Sequence, residues 1–171
     1  PYAEAAIPII GLEPSCILMI KDDYDGLLGK QAEQVAKVCV TLDEFLCKHL
    51  VDGKLPLPLE YHENEVKLHG HCHQKSLIGM KSTISVLKSL PGIHVTEIPS
   101  GCCGMAGSFG YEKEHYAFSM KIGELRLFPA VKNAKIETII IANGISCRSQ
   151  IQQGTGRTAK HLAEIISDML L

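Results

Sequence analysis

Three times in this chain a short run with strand character leads into cysteine and then into a helical pattern. Glu65-Val-Lys-Leu-His69 alternates apolar and polar residues and precedes Cys72 in His69-Gly-His-Cys-His73. From His73 to Leu90 the apolar residues Leu77, Ile78, Ile84 and Leu87 then recur at helical spacing, until Pro91-Gly92 stops them. Ile93-His-Val-Thr-Glu-Ile98 alternates again, feeds Gly101-Cys-Cys-Gly104 and gives way to a helix expected from about Tyr111 to Leu127. Ile136 to Ala142 has the β-branched density of a strand buried on both faces, and leads to Cys147 and a short helix through Gln153. Such a chain is expected to be α/β, with a mainly parallel central sheet flanked by helices. Ligands of such sheets gather beyond the C-terminal ends of the strands, where the loops carrying Cys72, Cys102, Cys103 and Cys147 fall. Four thiols from three loops are therefore expected around one pocket.

The remaining segments give further expectations. Ile7-Pro-Ile-Ile-Gly-Leu12 reads as a short buried strand entering Glu13-Pro-Ser-Cys16. From Gln31 to about Leu50, Val35, Val38, Cys39, Leu42, Phe45 and Leu46 fall on one helical face, which makes Cys39 a core residue and leaves Cys47 off the stripe. Leu55-Pro-Leu-Pro-Leu59 is a connector, because its prolines exclude helix interior. Gly154-Thr-Gly156 is expected to break a helix, and Thr158 to cap a last one carrying Leu162, Ile165, Ile166 and Met169. Pro8-Ile-Ile-Gly-Leu-Glu-Pro-Ser-Cys16 echoes Ile139-Ile-Ile-Ala-Asn-Gly-Ile-Ser-Cys147, each a strand, a short turn and Ser-Cys.

Composition narrows the class. The 171 residues are 46% apolar and 21% charged, with a net charge of −2 and no Lys/Arg run, so a nucleic-acid partner is not expected. The longest apolar runs are too short to span a bilayer, and no secretory leader pattern opens the sequence. Seven cysteines in a chain rich in aliphatic residues point to a reducing compartment with some cysteines as ligands. A cytoplasmic location is expected, any membrane association coming through partners.

Thiolates are soft ligands suited to iron–sulfur clusters or zinc. Zinc sites favour Cys-x-x-Cys knuckles, whereas the adjacent pair Cys102-Cys103 can place its thiolates on different irons of a cluster. The bland alternative makes both cysteines small buried apolar residues of a turn. A disulfide between neighbours would be a strained ring. Gly101 and Gly104 let the backbone approach a ligand closely, His71 and His73 are candidates to hydrogen-bond around it, and Arg148 adds a cation beside Cys147. Within a strand His69 and His71 point to one face and Cys72 to the other, so they cannot all be ligands.

These motifs resemble a family. Gly11-Leu-Glu-Pro-Ser-Cys16, His69-Gly-His-Cys-His-Gln-Lys75, Ser100-Gly-Cys-Cys-Gly-Met-Ala-Gly-Ser-Phe-Gly110 and Lys121-Ile-Gly-Glu-Leu-Arg126 are similar to the cysteine-rich CCG domains of heterodisulfide reductase and of the iron–sulfur parts of glycolate oxidase and anaerobic glycerol-3-phosphate dehydrogenase. They also resemble the C-terminal region of fused FAD-linked 2-hydroxyacid oxidase/iron–sulfur proteins. The resemblance implies a 4Fe–4S cluster on Cys72, Cys102, Cys103 and Cys147, with zinc or an empty site after aerobic preparation. It implies residues 1–30 as the tail of a first CCG module that Cys16 closes, and residues 31–171 as a complete second module packed with it as one domain. It further implies electron relay from a flavin domain, with FAD elsewhere in the full protein, to a quinone or other acceptor during oxidation of a glycolate- or lactate-type 2-hydroxy acid. The piece alone would not turn over substrate. Gly144 stands where the family has the first cysteine of a Cys-x-x-Cys pair, which leaves four of five thiols. The alternative is a zinc-stabilised structural or interaction domain without redox activity.

Overall fold

Local preference and long-range pairing together decide the elements at the N-terminal end. The computed structural model describes residues 1–171, apart from the side chain of Gln31. Strand β1 (Ile9–Gly11) leads into α1 (Pro14–Leu18), a π-helical turn at Met19–Asp23, α2 (Tyr24–Leu28) and α3 (Lys30–Val38). The helix expected from Gln31 to Leu50 is interrupted here. Cys39–Thr41 forms β2, parallel to β1 with Ile9 opposite Cys39 and Gly11 opposite Thr41, and a separate α4 (Leu42–Lys48) follows. The physical reason lies in Val38-Cys-Val-Thr41, whose β-branched residues suit a strand, and in Thr41, which starts a new helix. Its hydroxyl accepts from the Glu44 N–H at 3.4 Å while Glu44 Oε2 accepts from the Thr41 N–H at 3.1 Å, a reciprocal cap. Cys39 is buried as expected, but in a strand, packed with Ile17 and Leu18.

The larger sheet follows the repeated pattern. Its strands are β3 (Asn64–His69), β4 (Ile93–Glu97), β5 (Ile139–Ala142) and β6 (Ala159–Lys160), in the order β4-β3-β5-β6 and all parallel. Between β3 and β4 the expected single helix is divided at Gly79, whose φ is 72°, into α5 (Cys72–Leu77) and α6 (Lys81–Ser89). After β4 come α7 (Lys113–Leu125) and an unforeseen α8 (Leu127–Lys132). After β5, α9 (Ile145–Thr155) runs past Gly154, where a Cβ would meet the Phe128 ring at 2.3 Å, and ends at Gly156 with φ 72°. Thr158 is not the last cap. β6 intervenes, and His161 caps α10 (Leu162–Asp168), Nδ1 accepting from the Ala163 N–H at 3.0 Å while Glu164 accepts from the His161 N–H at 2.6 Å.

Alternation along the strands builds a core on each face of the sheet. Val66, Leu68 and Ile141 pack with Val86, Leu87, Leu162 and Ile165 on one side, and Ile140 and Ala142 with Phe128, Val131 and Ile151 on the other. The architecture is thus α/β, a parallel sheet flanked by helices. No described helix is long and apolar enough to cross a membrane.

Candidate metal centre

β4, β3 and β5 are adjacent, and each releases cysteine just beyond its last residue. Cys72 opens α5, Cys102 and Cys103 lie in the loop after β4, and Cys147 is the third residue of α9. From β3 the chain crosses to β4 on one side and returns to β5 on the other, so the loops part at a crevice above the strand ends. All four thiols line one cavity of about 190 Å³, with His71, His73, Ser15 and Ser146 among its other walls. Cys103 and Cys147 are buried at its floor, Cys102 is half-buried and Cys72 is exposed.

The sulfurs interact in sequence: Cys72 with Cys102, Cys102 with Cys103, and Cys103 with Cys147. Hydrogen bonds from the Cys103 and Cys72 thiols hold Cys102 well below the usual thiol range, the Gly104 and Ala106 N–H groups adding to this against the effect of burial. Cys147 is held low chiefly by its bond from Cys103, against the effect of burial. The donors are pushed up: Cys72 by its bond to Cys102 and by burial, Cys103 by its bonds to Cys102 and Cys147 and by burial. A cationic centre among the four sulfurs would favour the thiolate form of each.

The backbone around Cys102 depends on Gly104, whose N–H points at Cys102 Sγ at 3.3 Å. Its φ is 104°, and a Cβ there would lie 2.2 Å from the Ser119 carbonyl oxygen, so no other residue fits. Gly101 is exposed and outside the cavity lining. On the other side, α5 is anchored by a buried network in which Asp43 Oδ2 accepts from Gln74 Nε2 at 2.9 Å and from the Thr83 hydroxyl at 2.7 Å.

His69, which the sequence offers only as one of three histidines around Cys72 that cannot all be ligands, does not line the cavity but lies close to its buried cysteines. A ring nitrogen of His69, Cys103 Sγ and Cys147 Sγ lie within 4.8 Å of one another, all three residues buried. Its signal in the sequence was its position as the last residue of a strand running toward the cysteines. His71 and His73 line the cavity, and His71 Nε2 lies 4.0 Å from Glu13 Oε1. Glu13 was missed: its Oε2 accepts from the Ile145 N–H at 2.7 Å, capping the helix that carries Cys147. Arg148 turns aside, its guanidinium donating to the Ala142 and Asn143 carbonyls at 3.0 and 2.7 Å and lining a neighbouring cavity with Glu13 and His161.

Cys16 is exposed and does not line the thiol cavity, yet its local setting repeats that of Cys147. Each is the third residue of a helix that begins three residues after a strand ends, at Gly11 and at Ala142. Cys39 and Cys47 sit in apolar clusters elsewhere.

The chain is 27% identical over 164 residues to one of the subunits of anaerobic glycerol-3-phosphate dehydrogenase from Escherichia coli (strain K12), an alignment covering 96% of this chain and 41% of that protein. It is 28% identical over 166 residues to D-2-hydroxyglutarate dehydrogenase from Pseudomonas putida, covering 96% and 15%. To the Escherichia coli (strain K12) protein of the same name it is 25% identical over 169 residues, covering 98% and 16%. No family model and no solved structure matches it. The chain therefore spans less than half the length of these relatives, and over almost its whole length it is similar to a segment of dehydrogenases and of a dehydrogenase subunit.

Proposed function

We propose that this chain is the iron–sulfur electron-transfer part of a flavin-linked dehydrogenase, with Cys72, Cys102, Cys103 and Cys147 as thiolate ligands of a 4Fe–4S cluster. The observation that carries the reading is the convergence of these four thiols at the ends of three adjacent parallel strands. Similarity over almost the whole chain to dehydrogenase components supports it. A bound cluster of this kind passes single electrons. The chain's own part is to hold the charge and exclude water: amides of Gly104 and Ala106 face Cys102, and Cys103 and Cys147 are 3% and 1% exposed. The exposed edge at Cys72 leaves one side open to an electron donor or acceptor.

In this reading the partner is a flavin domain or subunit, the acceptor is a quinone or similar carrier, and the substrate of the whole enzyme is a 2-hydroxy acid of the glycolate or lactate type or a related small alcohol. Residues 1–30 are the tail of a first cysteine-rich module that Cys16 closes, and 31–171 are the second. Purified anaerobically and reconstituted with iron, sulfide and reductant, the chain should take up iron and sulfide in equal amounts and give an EPR signal on reduction. The tight group of His69, Cys103 and Cys147 favours one rival, a single zinc ion stapling the strand ends. Stoichiometric zinc with no sulfide would overturn the cluster in favour of that staple.

A further inference from the structure

We propose that His69 is itself a metal ligand, coordinating through Nε2 beside Cys103 and Cys147, so that the inner end of the site is a mixed nitrogen and sulfur donor set. The proposal rests on the metal-binding reading above and extends it to a residue outside the four cysteines. His69 ends β3 and is 1% exposed, and its Nε2 is buried without any hydrogen-bond partner. A buried imidazole with a structural role normally has both nitrogens satisfied, because an orphaned polar atom loses its hydration for nothing. Here the unsatisfied nitrogen belongs to a ring grouped with two buried sulfurs, all within 4.8 Å.

The other nitrogen explains the first. Nδ1 lies 2.8 Å from the Ser100 hydroxyl, which in turn reaches the Ile98 carbonyl at 3.5 Å. A carbonyl only accepts, so a chain running from Nδ1–H to the hydroxyl to the carbonyl leaves the proton on Nδ1 and a lone pair on Nε2. That is how a ligating histidine is oriented by its other nitrogen. The serine is itself held in place, since Lys75 Nζ donates to its carbonyl at 2.9 Å.

Two neighbouring positions fit this role less well. At residue 144, beside Cys147, a Cβ would lie 2.4 Å from the His71 ring and 3.3 Å from Cys147 Sγ, so Gly144 leaves no room for a side-chain donor. His71 also has an unpartnered nitrogen, Nδ1, but its Nε2 is turned toward Glu13 and it is outside the tight group. Five donors are one more than four irons need at one each. Either one iron takes two, or the outermost thiol, Cys72, stands free, and His69 is on metal in both arrangements.

The test labels histidine with ¹⁵N in the otherwise unlabelled chain, reconstitutes it anaerobically with iron and sulfide, and records pulsed EPR of the reduced state. A directly bound nitrogen, identified by its response to the label, is expected in the parent chain and in His71→Ala and absent in His69→Ala. Should His69→Ala fail to fold, a bound nitrogen that persists in both His71→Ala and His73→Ala assigns the ligand to His69. Iron and sulfide bound with no directly bound histidine nitrogen, or with one lost in His71→Ala instead, would overturn the ligand while leaving the cluster intact. If no sulfide is incorporated the cluster reading fails, and Co(II) replaces iron as the probe of His69. The visible ligand-field bands should then shift in His69→Ala, and Ser100→Ala should bind Co(II) about 10–100-fold more weakly. Unchanged bands in His69→Ala, or no Co(II) bound by the parent chain, would overturn the proposal.

Discussion

Cys103 and Cys39 are both buried thiols, 3% and 1% exposed, yet their surroundings assign them opposite roles. Cys103 touches two other thiols at the cavity floor, whereas Cys39 packs against Ile17 and Leu18 and its thiol is pushed up by burial. Cys103→Ser exchanges a soft ligand for a hard hydroxyl, and iron should be lost or its spectrum altered while the scaffold still folds. Cys39→Ser buries a hydroxyl with no assured partner, at a cost of roughly 1–3 kcal/mol, and should leave iron binding intact. Iron per chain and the thermal midpoint, both on anaerobically reconstituted protein, separate the two variants. Unchanged iron in Cys103→Ser removes that residue from the site. At this scale the sequence was informative about sulfur and uninformative about what surrounds it. The Cys-Cys-Gly motif singles out Cys102 and Cys103 at sight, while Glu13 and Ser100 act through contacts 132 and 31 positions away along the chain.

Among the elements, α9 matters most to the site because it carries Cys147 and has no cap of its own at Gly144. Glu13 supplies the missing acceptor from another part of the chain, and its other oxygen takes the Ser15 hydroxyl at 2.9 Å. Glu13→Ala should lower stability by about 0.5–2 kcal/mol and raise the rate at which Cys147 reacts with a thiol reagent. An unchanged urea midpoint would remove the cap from the account. α10 is capped by His161, whose Nδ1 accepts from Ala163, so its proton is on Nε2 and is given to the Leu12 carbonyl at 3.0 Å. Burial above all lowers its pKa from the usual 6.5, and the Arg148 charge adds to this. As pH falls below 6.5 the unfolded chain therefore takes up the proton first, and the cap's stabilisation, complete above that pH, is lost as pH falls through the lower folded value. The thermal midpoint should drop between about pH 7 and about pH 5, and drop less in His161→Asn, which caps without titrating. An equal drop in both would count against this histidine. Elements whose character is local, such as β3, β4 and β5, were legible from their alternation and β-branched density. β2 was not, because its three residues continue a helical stripe and become strand only through pairing with β1, 30 positions earlier.

Taken whole, the molecule is a two-stranded sheet and a four-stranded sheet bound by packing that crosses the proposed module boundary at residue 30. β1 lies before that boundary and β2, its partner, after it; α1 packs against both β2 and α5, the helix that Cys72 opens. Trimming the chain to residues 31–171 would strip β2 of its ladder and remove Ile17 and Leu18 from the cluster around Cys39. It would also remove Glu13 from α9 and the Leu12 carbonyl from His161. Loss of the two buried aliphatic side chains alone costs roughly 3–6 kcal/mol at about 1.5–3 each, against the roughly 5–15 that holds a whole domain. The trimmed chain should therefore melt well below the parent. In hydrogen exchange the amides of Cys39–Thr41 and of the first turn of α9 should lose protection, while those of β3 and β5, at the centre of the larger sheet, keep it. Equal midpoints, with Cys39–Thr41 still protected, would make residues 31–171 a unit that folds without the first thirty. The expected loss would instead mean that the tail of one module is part of the folding unit of the next, and that the site at Cys147 is built by both.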